Sequence, residues 1–265
     1  MARHDYKILY WDGDMDGHWS HAAEERYEDN GYNGLVLTPG GSWTPEGLSF
    51  LRNLPELRYF SLEQQFKADV EAFEVDTLKE LSLVTNSRRP IPHTIQPEMV
   101  SLCLTDRPGI ALGNHWPQLK EFRLGNWRGA DCLALSEGRQ LTLTQLEGRR
   151  QDISMTGIQN CVNLRSLAML NVAVHDCEAV AGLANLEEIS LMAPTGKTHA
   201  PIDFSPFTSE RLRKIWISGA SELVNLSRLG EVESLRNIRL IRSNLTDEDR
   251  LALAAFPKRI KVEII

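Results

Sequence analysis

The sequence predicts an α/β solenoid. One short strand per repeat stacks into a curved parallel β-sheet on the concave face, and short helices or irregular returns on the convex face close each turn. Three observations predict it: a six-residue pattern that recurs along most of the chain, alternation inside that pattern, and repeats that leave no room for a separate catalytic domain.

The recurring pattern is apolar-x-x-apolar-x-apolar. It reads LRYFSL at 57–62, LKELSL at 78–83, MVSLCL at 99–104, LKEFRL at 119–124 and GRQLTL at 138–143. It continues as LRSLAM at 164–169, LEEISL at 186–191, LRKIWI at 212–217 and LRNIRL at 235–240, with a weaker PKRIKV at 257–262. The fourth position falls at Phe60, Leu81, Leu102, Phe122, Leu141, Leu167, Ile189, Ile215, Ile238 and Ile260, at steps of 19 to 26 residues. GLVL at 34–37 and KILYW at 7–11 are two weaker members at the front, which makes ten to twelve repeats.

Alternation explains the pattern. Apolar fourth and sixth positions separated by a polar one have the period of a strand with one buried face. A single such strand cannot bury its leucines, but parallel copies about 4.8 Å apart share one continuous core. The rest of each unit carries the chain back. Val180, Leu183 and Leu186, spaced three apart, predict a short helix, a 3₁₀ turn or an extended piece there.

These repeats resemble the leucine-rich-repeat family, especially its short bacterial, internalin-like members, over about residues 50–265. LVNLSRLGEVESLRNIRLIRSN at 223–244 is the best single copy, with Asn244 near the family's turn asparagine. Asn86 is another such residue, and the asparagine is mostly missing elsewhere. Irregular loops are expected at 86–97, 144–160 and 192–208. The resemblance implies a curved solenoid that binds partners on its concave sheet, without specifying a partner.

The ends read as caps. Residues 1–50 hold an acidic, aromatic segment assigned to an N-terminal cap with the first irregular repeats, and 51–245 form the repeats. Within 246–265, Thr246 and Asp249 mark the start of a capping helix that precedes a last strand, IKVEII.

In this register the third, fifth and seventh positions face away from the core. A partner-binding surface is expected to use Tyr59, Glu63, Glu80, Glu121, Arg123, Leu170, Met192, Lys214, Trp216, Arg239 and Ile241. Ser61, Thr105, Gln140, Thr142, Thr144 and Ser218 occupy the same columns. Trp216 has no core to fill at such a position, and tryptophan and arginine are the residues most enriched at binding hot spots. Leu170, Met192 and Ile241 add apolar surface. The second position is mostly basic: Arg58, Lys79, Lys120, Arg139, Arg165, Arg213 and Arg236. A charge-compensated edge, helped by Glu80, Glu121 and Glu188, is favoured over a steering ridge.

Asp12, Asp14 and Asp16 with Gly17 match the first half of a calcium loop, D-x-D-x-D-G. The match then fails, because the twelfth position is Ala23, so an acidic cap loop is favoured over a metal site. Cys103, Cys132, Cys161 and Cys177 form no C-x-x-C and are expected to be free thiols. A net charge of -7 disfavours general nucleic-acid binding. There is no secretory leader pattern and no run long enough to span a membrane, which points to a cytoplasmic chain. No nucleotide-binding, zinc-hydrolase or nucleophile-elbow motif occurs, and no cofactor is implied. The expectation is a non-catalytic solenoid that engages another protein, as a neutralising inhibitor such as a toxin-immunity protein; the alternatives are an adaptor or scaffold, or a calcium-binding module through the Asp12–Asp16 loop.

Overall fold

The computed structural model describes residues 5–12, 19–38, 47–113 and 115–265. Two compact units divide the chain, Met1–Leu119 and Lys120–Ile265.

In the first unit, β1 (Ile8–Trp11), α1 (His21–Asp29), β2 (Gly34–Leu37), β3 (Tyr59–Glu63), β4 (Glu80–Val84) and β5 (Ser101–Thr105) follow in order. The strands pair in parallel, each with the next in sequence. Leu9 and Trp11 thus align through Leu35 and Leu37 with Phe60 and Leu62, and both weak front members are strands of the sheet. Their side chains are buried, as are Leu81, Leu83, Leu102 and Leu104. Each such burial contributes roughly 1.5–3 kcal/mol. The acidic segment supplies α1, whose Ser20 accepts a hydrogen bond from the Ala23 N–H at 3.2 Å and which buries Ala23 and Tyr27.

A second determinant in this unit is a buried ion pair. Arg107 and Asp69 have fully covered side chains 2.9 Å apart. Thr85 donates to Asp69 Oδ2 at 2.6 Å and accepts from Arg107 Nη2 at 3.1 Å. The three groups come from successive repeats, so the network ties returns together as well as satisfying a charge that could not otherwise be buried.

The second unit contains β6 (Glu121–Trp127), β7 (Leu143–Gly148), β8 (Asp152–Ser154), β9 (Ser166–Leu170), β10 (Ala173–Asp176), β11 (Glu188–Met192), β12 (Ile202–Asp203), β13 (Lys214–Ser218), β14 (Leu223–Val224), β15 (Asn237–Ile241), α2 (Asp247–Ala254) and β16 (Lys261–Ile264). The main sheet runs β6-β7-β9-β11-β13-β15-β16, all parallel. β8 pairs with β10 and β12 with β14 in two-stranded parallel sheets; β8 and β12 lie in segments expected to be irregular, whereas β10 and β14 lie outside them. Returns close with 3₁₀ turns; Glu178–Gly182 buries Val180, with Leu183 and Leu186 buried beyond it. The left-handed backbone that ends the strand recurs at Asn126, Asn171, Gly219 and Arg242, one residue past the seventh position. Asparagine and glycine suit that conformation because both adopt positive φ at low cost. α2 starts in a capping box between Thr246 and Asp249, as expected.

Two registers differ from the sequence reading. Phe122 pairs with Thr144, not Leu141, so the repeat is LTLTQL at 141–146 and Thr144 is its fourth residue. Leu141 and Leu146 are buried and the polar threonine takes the core position between them, which is why the apolar pattern pointed three residues too early. Arg139 therefore lies outside the second-position column, which Thr142 occupies. In the last repeat Ile238 pairs with Val262, so Ile260 lies ahead of the strand.

Candidate functional site

The outward face of the second unit's sheet is ordered by register alone. Third positions run Glu121, Leu143, Ser166, Glu188, Lys214, Asn237 and Lys261. Fifth positions run Arg123, Gln145, Ala168, Ser190, Trp216, Arg239 and Glu263. Strand spacing therefore fixes Trp216 directly beside Arg239, and Arg239 beside Glu263.

The side chains close on one another. The Arg239 guanidinium lies over the Trp216 ring, 4.7 Å from its centre. Its Nε donates to Glu263 Oε2 at 2.6 Å, and Lys261 Nζ is 2.6 Å from Glu263 Oε1. Hydrogen bonds from Lys261 and then Arg239 hold the Glu263 carboxyl below the usual carboxylate range. Lys214 pairs with Glu188 at 2.6 Å. A shallow pocket of about 210 Å3 opens among Lys214, Trp216, Asn237, Arg239 and Lys261. Trp216 stays 37% exposed although its neighbours are in place. An aromatic plane held flat by a cation loses little freedom on meeting a partner, which is the condition for an anchor residue.

Leu170 and Met192 are adjacent at the seventh position and half-buried. Ile241 is also half-buried, but Ser218 separates it from Met192. Ser218 is buried, contrary to expectation, because Arg242 folds over it and donates to its Oγ at 3.0 Å. Ser61, Thr105 and Thr144 are likewise buried. Thr144 is a core residue by register. Ser61 is covered beside the Tyr59 hydroxyl, which it hydrogen-bonds. Thr105 ends β5, where Arg107 turns back to donate to its carbonyl at 3.4 Å.

Arg123 and Glu121 pair on one strand at 3.6 Å, at the far end of the column from Arg239. Tyr59, Glu63 and Glu80 belong to the first unit; Tyr59 neighbours Glu80, and Glu63 neighbours Val84. Three of the basic second positions, Arg58, Lys79 and Arg165, are compensated by carboxylates at the edge. Arg58 meets Glu98 at 2.9 Å and Glu56 at 3.2 Å, and Arg165 meets Glu187 at 3.6 Å. Glu80 hydrogen-bonds Tyr6 instead. Sequence reasoning missed Glu263 and Lys261, although the alternation in KVEI was a usable signal for both.

Among the described residues no group of three or more His, Cys, Asp or Glu is placed to hold a metal ion. Of the calcium-loop residues, Asp14 and Asp16 lie outside the described residues. The four cysteines are free thiols; Cys132, Cys161 and Cys177 are buried, and burial pushes the Cys161 and Cys177 thiols up to about 12. Buried, protonated thiols of this kind are inert packing residues. No helix among the described residues is long and apolar enough to cross a membrane.

No family model matches the chain, and no curated protein matches it either. Among solved structures it is similar to internalin C2 of Listeria monocytogenes, with a TM-score of 0.55 and 17% identity over 72% of this chain and 82% of that one. It is also similar to a leucine-rich-repeat protein of Leptospira interrogans, with a TM-score of 0.55 and 12% identity over 91% of this chain and 74% of that one. Taken with the parallel strand and the 3₁₀ return of successive repeats, these likenesses give the chain the leucine-rich-repeat fold, in its internalin-like form.

Proposed function

We propose that this chain is a non-catalytic scaffold that binds a protein partner on the outward sheet face of its second unit, with Trp216 as anchor. The observation that carries this reading is the exposed Trp216 ring held beneath Arg239. Around it, Lys214, Lys261, Glu188 and Glu263 provide a polar rim, and Leu170, Met192 and Ile241 add apolar area. An aromatic–arginine centre inside a charged rim is the composition of a protein-binding hot spot.

Within that class we favour a neutralising role, in which the scaffold acts by occupying its target. A toxin-immunity protein working in the cytoplasm fits this description, and an adaptor is the alternative. The experiment is affinity capture with the wild-type chain beside Trp216→Ala and Arg239→Glu, after checking that all three melt alike. One partner retained by wild type and lost by both variants supports the reading. Retention by all three rejects it. If the captured partner is an enzyme or toxin whose activity falls when bound, the role is neutralising; unchanged activity makes it an adaptor.

A further inference from the structure

The first unit carries a different pocket. A depression of about 470 Å3 on its sheet face is lined by Tyr10, Val36, Thr38, Tyr59, Ser61 and Glu63. Tyr10 is 66% exposed, an unusual amount for an aromatic on a sheet. Tyr59 leans across Gly34, where an added Cβ would stand 3.4 Å from the Tyr59 Cβ and 3.5 Å from its ring. Tyr10 and Tyr59 both line the space, and the Tyr59 ring packs against that of Tyr6 at 5.5 Å between centres.

The chemistry of that space is one-sided. Aromatic faces present negative potential, and Glu63 adds an exposed carboxylate. The lining holds no lysine or arginine. The basic residues just ahead of β1, β3 and β4 are engaged elsewhere: Lys7 lies over the Tyr32 ring, and Arg58 and Lys79 pair with Glu98 at 2.9 and 3.7 Å. Burial chiefly raises the Tyr59 phenol above its ordinary value; the Ser61 hydrogen bond opposes this, and Glu80, Tyr10 and Glu63 add to it.

An anion would face Glu63, and an apolar group would cover that carboxylate without pairing it. A cation gains from both the rings and the carboxylate. A guanidinium suits better than an ammonium, because it is flat, more weakly hydrated and able to stack while it pairs. We propose that this pocket receives an arginine side chain of a protein partner, stacked on Tyr10 and Tyr59 and ion-paired to Glu63. The inference stands apart from the Trp216 reading, since every residue it uses belongs to the first unit.

The test is tyrosine-ring NMR of the full chain titrated with acetyl-Gly-Gly-Arg-Gly-Gly-amide and with the same peptide carrying citrulline, the uncharged counterpart of arginine. The arginine peptide is expected to shift Tyr10 and Tyr59 saturably, with a Kd on the order of millimolar, as one exposed cation–π contact and one ion pair allow. Glu63→Gln and Tyr10→Leu should each weaken it about threefold, and citrulline by about fivefold or more. Trp216→Ala should leave the titration unchanged. Equal binding of citrulline, indifference to Glu63→Gln and Tyr10→Leu, or no saturable shift overturns the proposal without touching the role of Trp216.

Discussion

Arg239 sits 4.7 Å above the centre of the Trp216 ring, one strand away at the same register position, with its guanidinium tied to Glu263. The pair is exposed, so its worth to folding is small: a double-mutant cycle of Trp216→Ala and Arg239→Ala should give a coupling of about 0.5–1 kcal/mol. Urea unfolding of the four proteins measures it. Binding should respond far more strongly, because a preformed aromatic anchor gains most of its value on desolvation by a partner.

The Arg107–Asp69 pair behaves oppositely. Both side chains are fully covered, so removing either leaves an uncompensated buried charge. Arg107→Ala or Asp69→Ala should cost about 3–5 kcal/mol in denaturant unfolding. Loss of the Thr85 hydroxyl alone, in Thr85→Val, should cost less, since Arg107 and Asp69 still meet directly.

Thr144 is a core threonine whose hydroxyl has no hydrogen-bond partner. Thr144→Val keeps the shape and removes the unpaired group, so it should stabilise the chain by about 1 kcal/mol. A raised urea midpoint with an unchanged slope is the expected signature.

His199 is buried, and its Nδ1 accepts the Val174 N–H at 2.9 Å. Burial pushes the imidazole below its ordinary value, and backbone hydrogen bonds at Leu191 and Ser218 only partly oppose this. The unfolded chain therefore binds the proton more readily than the folded one. The stability that the neutral ring contributes is fully present above its unfolded pKa of about 6.5, and it is lost as pH falls from there toward the lowered native value. Urea midpoints at pH 8 and pH 5 should show this loss, and His199→Gln should flatten the difference.

Most of the fold was legible because a period-2 pattern repeated at a nearly constant step admits few architectures. It failed where polarity broke the pattern. Thr144 in a core seat let Leu141 pose as the fourth residue, and in the last repeat Ile260 and Val262 are both apolar at alternate positions, so the pattern fitted either register. The face itself was legible, since alternation places Trp216 and Arg239 outward. Their joining through Glu263 was not, because it depended on the register of that last strand. Nor could the sequence announce Asp69–Arg107, whose partners are 38 residues apart and meet through the stacking of returns.

The central claim is that the sheet face at Trp216 is the surface that meets a partner. The direct measurement is the Kd of the captured partner for wild type, Trp216→Ala and Arg228→Ala, the last altering a cleft among the returns lined by Phe204, Phe207 and Arg228. A loss of about 2 kcal/mol or more for Trp216→Ala, roughly 30-fold, with Arg228→Ala unchanged, is the predicted result. The reverse pattern, binding intact without the tryptophan and lost with Arg228→Ala, would place the interface on the returns and contradict the account.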